Sequence, residues 1–285
     1  MTDPAAHPDV QALIHRALEE DVGTGDVSAR ATISPEEQGW AVMVSRGDYV
    51  ISGLTVAELV FASLDDTISC KRLAQDGDTV VANQTVMDIS GPAASILTAE
   101  RTALNLVQRM TGIATMTREF VRRSEGTQAM ILDTRKTTPN LRRLEKYAVV
   151  CGGGVNHRMG LYDKIMLKDN HLALWRRHHE GSLADMVHAA RQNCPGVDIE
   201  VEVENQEDLA QVLGADPDWV LLDNMTPAQL RACGELNQGR SKLEASGGVT
   251  LETIADVAAT GVDAVSVGAL THSVEAADLA LEMDF

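Results

Sequence analysis

The sequence predicts two architectures in one chain: an α+β N-terminal region, followed by alternating strands and helices that form a parallel α/β barrel. Three observations predict this. The last four candidate strands of the second half recur about 20–22 residues apart, the size of one βα unit. Their C-terminal ends, and not their middles, carry charged residues and glycines. No GxGxxG follows a candidate strand, which weakens the alternative, an open doubly wound sheet binding a dinucleotide.

Taken in order, Val10 to Glu20 places Val10, Leu13, Ile14, Ala17 and Leu18 at helical spacing. Asp21-Val22-Gly23-Thr24-Gly25-Asp26 breaks that helix with turn chemistry. Strand-like runs follow at Trp40–Ser45, Thr67–Leu73, Thr79–Val81 and Val86–Ser90. A long helix over Leu97–Arg123 joins the halves, with Arg101, Asn105 and Gln108 sharing a polar face. The second half offers strands at Ala129–Thr134, Lys164–Lys168, Ile199–Glu204, Trp219–Asn224, Leu243–Ser246 and Ala264–Gly268. Helices are expected at Asn140–Val150, Leu183–Asn193, Gln206–Leu213, Pro227–Leu236 and Leu251–Ala259.

Composition narrows the function. The 285 residues are 44% hydrophobic and 23% charged, ordinary globular usage that excludes a disordered or collagen-like chain. Aromatics are 3%, so Val, Leu, Ile, Ala and Met must build the core. A net charge of −18 repels phosphate at long range and argues against nucleic acid or an anionic membrane as partner. The four scattered cysteines form no CxxC pair and read as reduced thiols of a cytoplasmic protein. No signal peptide and no membrane span is expected.

The strand ends carry the chemistry. Arg135 and Lys136 follow the first barrel strand, and Lys168, Asp169, Asn170 and His171 the second. Glu204 ends the third and Asp223 the fourth. Ser246-Gly247-Gly248 and Gly268-Ala269 end the last two. From Asp133 to Lys168 there are eight basic residues against three acidic ones, a basic island in an acidic protein. It suggests a locally held anion, gripped by Arg135, Lys136, His157, Arg158 and Lys168, while Arg142, Arg143 and Lys146 read partly as a solvated helix face. The two glycine turns fit a phosphate at the final loops. Glu200, Glu202 and Glu204 alternate on one strand face, pointing into the barrel. Glu204 and Asp223 could hold Mg²⁺, with Glu200 and Glu202 pairing with barrel lysines or arginines.

The stretch DTRKTTPNLRRLEKYAVVCGGGVNHRMGLYDKIMLKDNH, residues 133–171, resembles the signature of the quinolinate phosphoribosyltransferases. EDVGTGD (20–26), AERTALN (99–105), EVEVEN (200–205), LLDN (221–224), EASGG (244–248) and VSVGALT (265–271) extend the resemblance over nearly the whole chain. Ser28 departs from it, standing where the family often has Thr, and the Gly214–Trp219 turn is shorter than usual. The resemblance implies an incomplete α/β barrel at 114–271. It also implies an N-terminal open-faced α/β sandwich domain at 1–113, joined by the segment 272–285. It further implies a homodimer in which Arg101 reaches the neighbouring subunit's site.

The implied reaction joins quinolinate to Mg²⁺-bound phosphoribosyl pyrophosphate, releasing nicotinate mononucleotide, pyrophosphate and CO₂, in the synthesis of NAD. Arg101, Thr134, Arg135, His157, Arg158 and Lys168 are the candidates for binding quinolinate. Lys136, Glu204 and Asp223 are the catalytic candidates, Lys136 beside the diphosphate and the two carboxylates orienting Mg²⁺ and the ribose. Ser246, Gly247, Gly248 and Gly268 would cradle the 5′-phosphate, with Val267 and Ala269 as further substrate-binding candidates. Three rival readings are a transferase of the same fold acting on nicotinate, a non-catalytic phosphosugar-binding barrel, and an aldolase using Lys168 as a Schiff base.

Overall fold

The computed structural model describes residues 3–179 and 181–284. In chain order the first elements are α1 (Pro8–Val22), α2 (Val27–Thr32), β1 (Gln38–Ser45), β2 (Tyr49–Val50), α3 (Leu54–Leu64) and β3 (Ser69–Arg72). Then come β4 (Thr79–Val80), β5 (Thr85–Pro92), α4 (Ala93–Arg123), β6 (Met130–Leu132), α5 (Arg142–Cys151), β7 (Ile165–Leu167), α6 (Asp169–Trp175) and α7 (Leu183–Asn193). The last are β8 (Ile199–Val203), α8 (Gln206–Val212), β9 (Trp219–Asp223), α9 (Pro227–Asn237), β10 (Lys242–Ser246), α10 (Ile254–Ala258), β11 (Ala264–Ser266), α11 (Ala269–His272) and β12 (Leu279–Asp284).

Contacts group these into two units. The first comprises Met1–Arg118, Thr137–Gly153 and Leu270–Phe285. Relative to the expected boundaries it gains the whole Thr137–Gly153 segment, which carries α5. Its sheet runs β12-β1-β5-β3, antiparallel throughout. The C-terminal strand pairs with β1 from Trp40 opposite Asp284 to Ser45 opposite Leu279. Helix α1 buries Val10, Ile14 and Leu18, one residue every fourth position, and is started by the His7 ring accepting Asp9 N–H. Asp26 ends the sequence's turn motif by capping α2, accepting from Ser28 N and Ala29 N at 2.9 Å each. The Ala29 bond leads in holding its carboxyl below the usual range.

Of the elements here that escape the sequence reading, three do so for clear physical reasons. Helix α3, LTVAELVFASL, is apolar on nearly every side and gives no amphipathic period. Strand β2 has two residues, and β12 lies in a region where only its pairing with β1 defines a strand. Helix α5 starts at Arg142 and not at Asn140, because Asn140 has φ 67°, outside the helical region.

The second unit, Glu119–Lys136 and Gly154–Ala269, holds six parallel strands in the order β6-β11-β10-β9-β8-β7. Each expected strand is found, trimmed by one or two residues at most ends. Among the described residues β6 and β7 are not paired, so the barrel is incomplete. The segment 155–158 reaches across the gap. Val155 N–H donates to Ile131 O at 2.8 Å, and Arg158 Nη1 donates to Lys164 O at 3.1 Å, just ahead of β7. Helix α6 was not expected, and α10 is shorter than the predicted 251–259 because a turn occupies 251–253. Among the described residues no helix is long and apolar enough to cross a membrane, and all four cysteines are free thiols.

Candidate active site

Parity along the strands decides which side chains enter the barrel. Register pairs Met166 with Glu200, Glu200 with Trp219, Glu202 with Leu221, and Glu244 with Leu221. Lys164, Met166 and Lys168 therefore share the inner face with Glu200 and Glu202. The ion pairs agree: Lys164 Nζ lies 3.1 Å from Glu200 Oε2, and Lys168 Nζ pairs with Glu202 Oε2. The expected pairing of Glu200 and Glu202 with barrel lysines is thus found. At the bottom of this face the Trp219 ring lies under two ammonium groups, Lys164 at 4.6 Å and Lys242 at 5.1 Å from its centroid.

Above these pairs the strand ends form a rim. Thr134 and Arg135 are half-buried after β6, Lys136 is exposed, and Lys136 N–H donates to Thr134 Oγ1 at 3.0 Å. Lys168 is half-buried after β7. Asp223, half-buried, ends β9 and accepts from Asn224 Nδ2 at 2.7 Å. Glu204 falls one residue beyond β8 and is exposed. Continuing the β8–β9 register by one residue puts Glu204 level with Asp223. Two carboxylates on neighbouring strands, open to solvent, are hard oxygen donors of the kind Mg²⁺ takes.

The last two strand ends are backbone surfaces. Gly247 has φ 100° and Gly248 φ 60°, the left-handed region that glycine permits. Ser246 O accepts Asn224 N–H at 2.9 Å, tying the loops after β9 and β10. Val267 is buried, donating its N–H to Leu132 O at 2.9 Å, while Gly268 and Ala269 are half-buried. Arg101 belongs to the first unit. It lies on α4 with 71% of its side chain exposed, its guanidinium 3.6 Å from Glu100.

Below the rim is a charged cluster whose full membership the sequence did not reveal. His157 Nε2 lies 3.0 Å from Glu200 Oε2 and 3.4 Å from Glu244 Oε2. The buried Asp133 holds the same segment, accepting His157 N–H at 2.9 Å and Asn156 Nδ2 at 2.5 Å. Arg158 N–H donates to His157 Nδ1 at 2.7 Å. That bond needs a lone pair on Nδ1, so this conformation has the neutral ring with its proton on Nε2. Burial also opposes a charged ring, but Glu200 and Glu244 favour one strongly enough to push its pKa up to about 9. A second ring proton would require the Arg158 peptide to turn away.

Burial works against ionised Glu200 too, yet His157 and Lys164 hold its carboxyl below the usual range. Glu244 goes the other way, raised by burial and by Glu200 beside it. Arg158 is lowered by burial and by the nearby Arg135 charge. His157, Glu200 and Glu244 are close enough to share a metal ion. Lys164 already supplies a cation to Glu200, however, and the open Glu204–Asp223 pair suits Mg²⁺ better.

Fold and rim together define an incomplete α/β barrel whose strand ends gather cationic side chains, two open carboxylates and glycine turns. Residues 113–282 match the family profile described as quinolinate phosphoribosyl transferase, C-terminal domain, and residues 26–111 match the N-terminal domain of the same family. The chain belongs to the quinolinate phosphoribosyltransferase family. It is 41% identical over 278 residues to a probable nicotinate-nucleotide pyrophosphorylase (carboxylating) of Bacillus subtilis, covering 97% of this chain and 94% of that one. It is 42% identical over 276 residues to the nicotinate-nucleotide pyrophosphorylase (carboxylating) of Mycobacterium leprae, covering 95% of each. The solved nicotinate-nucleotide pyrophosphorylase of Francisella tularensis superposes with a TM-score of 0.92 at 36% identity, covering 99% of this chain and 98% of that one.

Proposed function

We propose that this protein transfers phosphoribosyl from phosphoribosyl pyrophosphate to quinolinate, with loss of CO₂, to give nicotinate mononucleotide and pyrophosphate in NAD synthesis. The observation that carries the reading is the crowd of cations Arg135 and Lys168, after β6 and β7, and Arg158, in the segment between those strands, in a chain of this family. Quinolinate bears two adjacent carboxylates, and gripping both calls for several charge-assisted donors. Thr134 adds a hydroxyl beside them. His157, with both ring nitrogens engaged, supports Arg158 from below.

Lys136, exposed at the rim, neutralises the diphosphate. Glu204 and Asp223 would hold Mg²⁺, which supplies further neutralisation of the leaving pyrophosphate, and Asp223 orients the ribose. The loops of Ser246, Gly247, Gly248, Val267, Gly268 and Ala269 offer backbone N–H groups to the 5′-phosphate. The ring nitrogen of quinolinate attacks an oxocarbenium-like ribose carbon as pyrophosphate departs, so no protein nucleophile is needed. Positioning and electrostatics supply the catalysis. Loss of CO₂ leaves a carbanion beside the newly cationic ring nitrogen, which stabilises it until the carbon takes a proton from water to give the mononucleotide.

The working form is a cytoplasmic homodimer, in which the exposed Arg101 of one subunit completes the rim of the other. Release of labelled CO₂ from carboxyl-labelled quinolinate, dependent on the diphosphate, tests the reading.

A further inference from the structure

Arg158 is held at both ends by groups that meet on one carboxylate oxygen. Its peptide N–H donates to His157 Nδ1 at 2.7 Å, and its guanidinium Nη1 donates to Lys164 O at 3.1 Å. His157 presents its other ring nitrogen to Glu200 Oε2 at 3.0 Å, and Lys164 presents its ammonium to the same oxygen at 3.1 Å. Glu200 is fully buried within β8, so it is fixed by the barrel itself.

We infer that Glu200 is a positioning residue for Arg158: by gripping His157 and Lys164 it sets the guanidinium that binds a substrate carboxylate, without touching the substrate. The inference rests on the reading of Arg158 as a quinolinate contact. Glu200 is buried, and its Oε2 already meets both His157 and Lys164. Its effect on binding must therefore pass through those partners. Glu244, on the far side of the ring, limits how His157 can turn, and among the described residues Glu200 is the one that pairs with both His157 and Lys164.

The test is a double-mutant cycle on the full-length protein, with kcat and both KM values measured for wild type, Glu200→Gln, Arg158→Ala and the double variant. Glu200→Gln keeps the shape and one acceptor but cannot hold both partners. It should raise the quinolinate KM roughly tenfold, the scale of one charge-assisted bond, and leave the diphosphate KM within about twofold. In the Arg158→Ala background the same change should add less than about twofold. A full tenfold effect persisting without Arg158, or an equal rise in both KM values, overturns the inference. If Glu200→Gln does not fold, Lys164→Gln breaks one of the two pairs that Glu200 makes and must show the same dependence on Arg158.

A wild-type protein that releases no CO₂ from quinolinate would overturn the reading of the reaction and not the brace. The brace is then read from the nitrogen-15 resonances of the His157 ring and the Arg158 amide. Glu200→Gln, or Lys164→Gln in its place, displaces both if the hold exists and leaves them in place if it does not.

Discussion

Asn224 and Gly247 are fitted so closely that a Cβ on Gly247 would lie 2.2 Å from Asn224 Oδ1 and 2.9 Å from Asn224 N. The contact joins the loops after β9 and β10, where Asp223 and the glycine turn lie. Gly247 also has φ 100°, which an L side chain rarely adopts. Gly247→Ala should therefore cost about 1–3 kcal/mol in stability and raise the KM for phosphoribosyl pyrophosphate more than that for quinolinate. Thermal unfolding and the two KM values check this; an unchanged diphosphate KM would remove the glycine turn from the phosphate site.

Lys168 pairs with Glu202 on the inner face of the barrel. Lys168→Ala should weaken quinolinate binding by roughly 10- to 100-fold, the scale of a charged hydrogen bond, and diphosphate binding far less. Calorimetric titration of each ligand separates the two. Equal losses would contradict the assignment of Lys168 to a quinolinate carboxylate.

Within the first unit, Arg109 gives two N–H groups to Glu145 Oε1, at 3.0 and 2.8 Å, and a third to Thr271 O at 2.5 Å. Glu145 is buried, and its other oxygen accepts Thr138 N–H at 3.1 Å. Arg109→Ala strands that carboxylate and should destabilise the protein by about 3–5 kcal/mol, read as a lower urea midpoint. Arg109→Lys should recover only part of this, since an ammonium lacks the fork.

Strand β8 shows what was legible in the sequence and why. Its Glu200-Glu202-Glu204 alternation is a period-two pattern, and a barrel strand has only one face for three carboxylates, so their direction and their lysine partners could be read from spacing. Glu204 shows the limit: parity gives its face but not that the strand stops at Val203 and leaves it exposed. His157 was legible as a polar residue near the cations, but its hold on Arg158 depends on Glu200 and Glu244, which come from two other strands. Arg109 was missed altogether, because it lies on α4 outside any motif and finds its partner 36 residues away. Helix α3 was missed because its apolar residues have no preferred side.

Glu200 and Glu244 give opposite pH signatures. Glu200 has its pKa lowered in the folded state, so its stabilisation is present above the unfolded value of 4.5 and is lost as pH falls. Glu244 has its pKa raised, so its contribution is present below 4.5 and is lost as pH rises through the folded value. Glu244→Gln should flatten the decline of stability above about pH 4.5, and Glu200→Gln should lessen the loss on acidification. Denaturant midpoints across pH measure both; curves parallel to wild type would contradict the shifts.

Arg101 is exposed on α4, and a dimer that shares its sites predicts complementation. Inactive Arg101→Ala mixed with inactive Lys168→Ala should recover about a quarter of wild-type activity at equal mixing, because half the dimers are mixed and one of their two sites is intact. No recovery in a mixture shown to contain heterodimers would contradict the shared site.

The central claim is tested most directly by incubating the purified protein with Mg²⁺, phosphoribosyl pyrophosphate and carboxyl-labelled quinolinate, with a parallel reaction on nicotinate. The account predicts labelled CO₂ that requires both the diphosphate and Mg²⁺, and no mononucleotide from nicotinate. Mononucleotide from nicotinate with no CO₂ from quinolinate would contradict it, showing that the rim's cations serve a single carboxylate.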